Sequence, residues 1–132
     1  MPSPWHDALK NLITVDPDTA LALLRTAGVK VPDGLPLEAG PYTVNDRISN
    51  DLYPDNTVLV GPKHDRACTV IVEIERELSA AKLEQFAVKA AAVALETRKD
   101  VQVLVLTRAL DARAWHDPVT VRRGGLSHVL TP

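Results

Sequence analysis

The sequence has little cysteine, few aromatic residues and no long apolar run. Its single cysteine, Cys68, excludes an intrachain disulfide framework and fits a reducing compartment. Aromatic residues make up 4% of the chain, so we expect an aliphatic core of Ala, Val and Leu. No apolar stretch approaches the ~20 residues that a membrane helix needs. The first residues also lack the basic and apolar pattern of a signal peptide. We therefore expect a cytoplasmic protein without a membrane segment.

The chain also lacks an excess of basic residues and the common phosphate-binding motifs. Its net charge of −2 and pI near 6.0 exclude a strongly basic protein that coats nucleic acid. They are compatible with a carboxylate site that stays acidic until a cation binds. The patterns G-x-x-x-x-G-K, G-x-G-x-x-G and G-x-S-x-G are absent. The lone cysteine and scattered histidines, such as His64 and His116, do not have the spacing of a zinc site.

The 132 residues predict a single domain with helices first and a sheet afterwards. Apolar residues at helical spacing predict two short helices within residues 1–34. Prolines and glycines over residues 32–56 predict a connector with one short strand near 42–44. We place the sheet core within residues 42–132.

The second half of the sequence alternates between strand-like and helix-like segments. NTVLV (56–60), TVIVEIE (69–75) and VQVLVLT (101–107) predict strands, and the last is apolar enough for the centre of a sheet. Residues 79–99 predict a long helix, and the tail would add a short strand. The expected fold is α/β, in the order ααβββαβ. Its mixed central sheet is flanked by helices, and a right-handed crossover joins its parallel strand pair.

Two glutamates share one face of the strand TVIVEIE. Side chains alternate along a strand, so Glu73 and Glu75 point away from the face of Val70, Val72 and Ile74. A buried carboxylate is costly unless a cation accompanies it. The pair therefore indicates a cation site, although a strand that simply emerges into solvent at this end would show the same pattern.

Asp55 favours the cation site. It stands eighteen residues before Glu73, at the start of the preceding predicted strand. If the two strands form a hairpin, the start of the first lies beside the end of the second. Asp55, Glu73 and Glu75 would then converge as oxygen ligands for a hard divalent cation, Mg²⁺ or Mn²⁺.

These residues resemble the core of the PD-(D/E)XK nucleases. The matching elements are Asp55 in YPDNTVLV, with the literal Pro54-Asp55 pair, and Glu73-Ile74-Glu75 in IVEIERE. Nearly the whole chain is similar to actinobacterial members of the recombination-promoting nuclease and transposase-like group, through the opening WHDAL and the P-x-x-A-x-x-L-L pattern at Pro17. The resemblance implies a restriction-endonuclease-like fold that hydrolyses DNA phosphodiesters with Mg²⁺, often as a homodimer.

Carried over to this sequence, the resemblance makes Asp55 and Glu73 metal ligands and departs from the family at Glu75. The superfamily has Lys there, or Gln in closer relatives, and a glutamate cannot stabilise a developing negative charge as lysine does. Glu75 would instead bind a metal or orient water. Lys82 and Lys89, at i and i+7 on the following helix, are the candidates to replace the lysine. Solvated lysines on a helix surface would show the same spacing.

Two further residue pairs and two alternative functions follow from the sequence. The resemblance implies that Asp7 of the His6-Asp7 pair completes the metal shell, although Asp is also common at helix N-termini. Arg122 and Arg123 would contact a phosphate. The second function compatible with the sequence is a catalytically impaired interaction or assembly module of the same fold, and a truncated copy would explain why relatives run longer. A small-molecule enzyme has fold class alone in its favour.

Overall fold

The computed structural model describes residues 4–40, 56–107, 119–123 and 126–130. The described residues form three helices and six strands. In chain order these are α1 (Pro4–Val15), α2 (Asp18–Thr26), β1 (Leu37–Gly40), β2 (Asn56–Val60), β3 (Cys68–Ile74), α3 (Ala80–Thr97), β4 (Asp100–Leu106), β5 (Val119–Arg123) and β6 (Leu126–Leu130). The α/β class is confirmed. No helix in the described ranges is both long and apolar enough to cross a bilayer.

Four strands form a mixed sheet in the order β1-β2-β3-β4. β1 pairs antiparallel with β2, and β2 pairs antiparallel with β3. β4 pairs parallel with β3 after the α3 crossover, while β5 and β6 form a separate antiparallel hairpin close to α3. The hairpin of β2 and β3, which the sequence required for its candidate site, is therefore confirmed.

Helices cover both faces of the sheet because β3 is apolar on both sides. Val70, Val72 and Ile74 pack with the β2 valines and with α1 and α2, as Ile13 and Leu24 illustrate. On the opposite face, Ile71 packs against α3. All seven residues of β3 are buried, so this strand forms the centre of the fold.

One sequence prediction differs from the structure. The connector supplies a strand at Leu37–Gly40, and the short strand that the sequence predicts near 42–44 lies outside the described residues and stays a prediction. β4 pairs with β3 alone among the described strands, so it lies at an edge there and not at the centre. Its residues are mostly half-buried. Helices α3 and α2 contact the strand, and β3 is the one strand of the described sheet that pairs with it.

Cys68 gives a stability prediction. The side chain is buried at the start of β3, and this burial, with a smaller contribution from the charge of Asp100, raises the pKa of its thiol. The unfolded thiol therefore loses its proton at a lower pH than the folded one. As the pH rises above the ordinary thiol pKa, the free energy of unfolding should fall until the raised folded pKa is reached.

Urea unfolding of wild type and Cys68→Ala at pH 8 and pH 10 measures this difference. Wild type should lose more stability between the two pH values than Cys68→Ala, which shares all other titrating groups. Native wild type should also react slowly with iodoacetamide, and urea should restore the rate of a free thiol. Equal pH slopes, or native alkylation at the free-thiol rate, would contradict the burial of Cys68.

Candidate functional site

Two glutamate–lysine pairs join β3 and its extension to α3. Glu73 Oε1 accepts a hydrogen bond from Lys89 Nζ at 3.0 Å. Glu75 Oε2 accepts one from Lys82 Nζ at 2.5 Å. The four side chains that the sequence singled out on this strand and helix thus meet in two ion pairs, which we call the carboxylate–lysine site.

The direction of the crossover explains this pairing. β3 runs toward Glu75, the chain turns at Ser79, and α3 runs back over the same face. The residue nearer the turn, Glu75, therefore meets the first turn of α3 at Lys82, and Glu73 meets Lys89 two turns later. Ser79 fixes the start of the helix, because its Oγ accepts a hydrogen bond from the Lys82 backbone N–H at 3.2 Å.

Backbone pairing also fixes Glu75 just beyond the strand. Its N–H donates to the Leu106 carbonyl at 3.0 Å, which continues the β3–β4 pairing past Ile74. Glu73 and Glu75 therefore keep the alternation of an extended strand and point to the α3 side. They lie roughly 7 Å apart along the backbone, two residues at about 3.3 Å each.

The two pairs differ sharply in exposure. The side chains of Glu73 and Lys89 are 1% and 10% exposed, whereas those of Glu75 and Lys82 are 22% and 38% exposed. For Glu73, this contradicts the alternative that β3 simply emerges into solvent. It also contradicts the alternative that Lys89 is a solvated surface lysine, because Lys89 accompanies a carboxylate into the interior.

Asp55 lies outside the described residues, as does His116. The register nevertheless fixes its chain neighbour, since Asn56 pairs with Val72, the residue before Glu73.

The described part of the chain holds no group of three or more His, Cys, Asp or Glu side chains arranged to bind a metal. Its contribution to a metal site would be two carboxylates, Glu73 and Glu75. Carboxylate oxygens are the donors that Mg²⁺ and Mn²⁺ prefer, so the donor chemistry fits. A carboxylate has enough lone pairs to accept a lysine hydrogen bond and to bind a cation as well.

Other residues chosen from the sequence lie elsewhere. His6 and Asp7 form a 3.7 Å contact with each other on α1, which packs on the face of the sheet opposite Glu73. His64 lines a cleft at the other end of the sheet. Arg122 and Arg123 fall in β5, whose backbone lies near α3.

Helical spacing in the sequence places Lys82 and Lys89 on one face of the helix but does not identify the side chains that they contact. Gln85, which shares that face in a helical projection, is exposed. The signal that could have separated Lys89 is its neighbourhood of alanine, valine and phenylalanine, which is unusual around a solvated lysine. Comparisons with protein-family models, with curated proteins and with solved structures found no match to this chain.

Proposed function

We propose that the protein is a metal-dependent endodeoxyribonuclease of the PD-(D/E)XK type, with the carboxylate–lysine site and Asp55 at its centre. The observation that carries the proposal is the buried Glu73–Lys89 pair on the central strand. A buried ion pair contributes little net stability compared with apolar residues of the same size, so its presence in the core favours a functional role.

The arrangement of elements supports this proposal. The sheet order β1-β2-β3-β4, antiparallel through β3 and then parallel to β4, agrees with the ααβββαβ order of the restriction-endonuclease-like core that the resemblance implies. In that core the first carboxylate stands at the start of the second strand and the glutamate lies near the end of the third. Asp55 and Glu73 occupy those positions in the sequence.

In the proposed reaction Asp55 and Glu73 would hold Mg²⁺ or Mn²⁺, and the bound ion would supply charge neutralisation at the scissile phosphate and a lowered pKa for its bound water. Lys89 holds a fixed positive charge beside Glu73 and stabilises negative charge that develops on the phosphate. Lys89 thereby takes the place of the lysine that Glu75 displaces from the strand. Glu75, more exposed and paired with Lys82, orients water or shares the cation.

Wild-type protein tests the proposal directly. Addition of Mg²⁺ or Mn²⁺ should raise the melting temperature, because an ion that binds the folded state alone stabilises it by about 2.7 kcal/mol at a hundredfold excess over Kd. The same ions should support nicking of supercoiled plasmid, and EDTA should abolish both effects. Ca²⁺ serves as a control that binds carboxylates without matching the octahedral preference of Mg²⁺. A protein that neither gains stability nor nicks DNA would refute the nuclease.

The second candidate is a non-catalytic interaction or assembly module of the same fold, which the self-neutralising charge of the site favours. Among the described residues, the positive charges of Lys89 and Lys82 balance the negative charges of Glu73 and Glu75, so the site does not need a metal ion for neutrality. For such a module, the melting temperature would not respond to Mg²⁺, and a mass measurement in solution would show stable self-association. A homodimer that also nicks DNA would instead support the nuclease.

A further inference from the structure

A cleft lies at the opposite end of β3 from the carboxylate–lysine site. This cleft has a volume of about 410 Å³ and lies between the turn of residues 61–67 and the end of α3. Its charged lining comprises Lys63, Arg66, Lys99 and Asp65, together with His64. Among the described residues, the lining therefore holds three cationic side chains against one carboxylate.

The turn that forms one wall has a defined shape. Gly61 adopts a φ of +106°, and a Cβ there would lie 2.8 Å from the backbone nitrogen of Ala67, so the turn requires glycine. Arg66 holds the turn by donating to the Gly61 carbonyl at 2.6 Å and to Glu38 at 2.5 Å. Arg66 is thereby largely neutralised, and it serves as a brace for the turn.

Lys63 and Lys99 carry the remaining positive charge. Within the part of the chain that the structure describes, neither side chain forms an ion pair, and both residues are exposed. They come from opposite walls, the 61–67 turn and the segment after α3. Two lysines that converge on one cleft from separate elements suit an oxyanion that each can contact.

The cleft and the carboxylate–lysine site share one face of the sheet. Thr69, which lines the cleft, lies on the same side of β3 as Glu73, four residues away. This separation is ~13 Å along β3. Because α3 packs over β3 between the two sites, a duplex that contacts both must span this helix.

We propose that Lys63 and Lys99 bind one backbone phosphate of a DNA duplex whose scissile phosphate lies at the carboxylate–lysine site. This inference rests on the proposed nuclease function and adds a phosphate contact at the opposite end of α3 from the cleavage point. A purely structural role predicts something different. Lys99 follows the negative end of the α3 dipole, so a stabilising lysine would affect melting and leave DNA binding unchanged.

The test is fluorescence anisotropy of a labelled 20-base-pair duplex in EDTA, titrated at several salt concentrations. Each neutralised phosphate contributes about 0.9 to the slope of log K against log salt. Lys63→Ala/Lys99→Ala removes both lysines from one phosphate, so it should reduce the slope by about 0.9. Lys10→Ala/Lys30→Ala, which removes the same charge from exposed positions in α1 and after α2, is the matched control. It should leave the slope unchanged.

Asp65→Asn provides a gain-of-function arm, because it removes a carboxylate from the lining and should tighten binding at fixed salt. Equal slope changes in the two double variants, no change in either, or absence of wild-type binding would overturn the inference. Competition by inorganic phosphate with no effect of salt on duplex binding would indicate a small-anion pocket and also overturn it. Plasmid nicking by wild type, measured separately with Mg²⁺, shows whether the nuclease proposal stands in each case.

Discussion

Lys89→Met is expected to lower the free energy of unfolding by about 3–5 kcal/mol, the usual cost of leaving one charge of a buried ion pair without its partner. The Glu73 side chain is 1% exposed, so its carboxylate would be left without its charged partner in a largely buried setting. For a domain of this size the melting temperature should fall by more than about 10 °C. Urea denaturation and thermal melting measure the two quantities.

Lys82→Met is the matched control, because Lys82 forms the same kind of ion pair two turns earlier on α3 and is more exposed. Its side chain is 38% exposed, and a pair of this kind contributes at most about 1 kcal/mol. Glu73→Met/Lys89→Met should recover most of the stability lost in Lys89→Met, because an apolar pair of similar volume is often neutral or stabilising. A loss in Lys89→Met no larger than that in Lys82→Met would show that Glu73 and Lys89 are not a buried pair.

The position of Glu73 could be predicted from the sequence because strand periodicity is local. Alternation in TVIVEIE fixes which side each residue takes, and the apolar residues on both sides indicate a strand covered by helices. The same local argument gave the face of Lys82 and Lys89 on α3. The hairpin and the parallel crossover followed from element order and short connections.

The depth of each side chain could not be predicted in this way. Glu73 and Glu75 share a strand face, and Lys82 and Lys89 share a helix face, yet one pair is buried and the other is half exposed. Burial depends on where α3 crosses the sheet, which is set by the packing of Phe86, Ala87 and Ala90. The edge position of β4 was missed for a similar reason, since its apolar side chains are shielded by helices and not by a neighbouring strand.

The cleft also could not be predicted from the sequence. Lys63 and Lys99 are 36 residues apart and belong to no motif. Their approach depends on the parallel register, which places the start of β4, at Asp100, beside the start of β3, at Cys68. Long-range register of this kind is set by the whole sheet and not by either segment.

The second large expected effect is a loss of plasmid nicking. Asp55→Asn should reduce metal-dependent plasmid nicking by at least about 10²–10³-fold, because an amide lacks the charge that holds a divalent cation. The melting temperature of this variant without metal should stay close to that of wild type, and its rise with Mg²⁺ should disappear. Together the two readouts distinguish loss of the cation from loss of the fold.

The stability-restored variant Glu73→Met/Lys89→Met extends this test to the interior pair. It should fold and yet cleave no plasmid above background, because it lacks both the carboxylate that binds the cation and the lysine that stabilises the developing charge. Gln85→Ala, an exposed change on the same helix, should keep wild-type kcat and KM. If the folded double variant nicks DNA as wild type does, the buried pair belongs to the architecture of the core and the reaction takes place elsewhere.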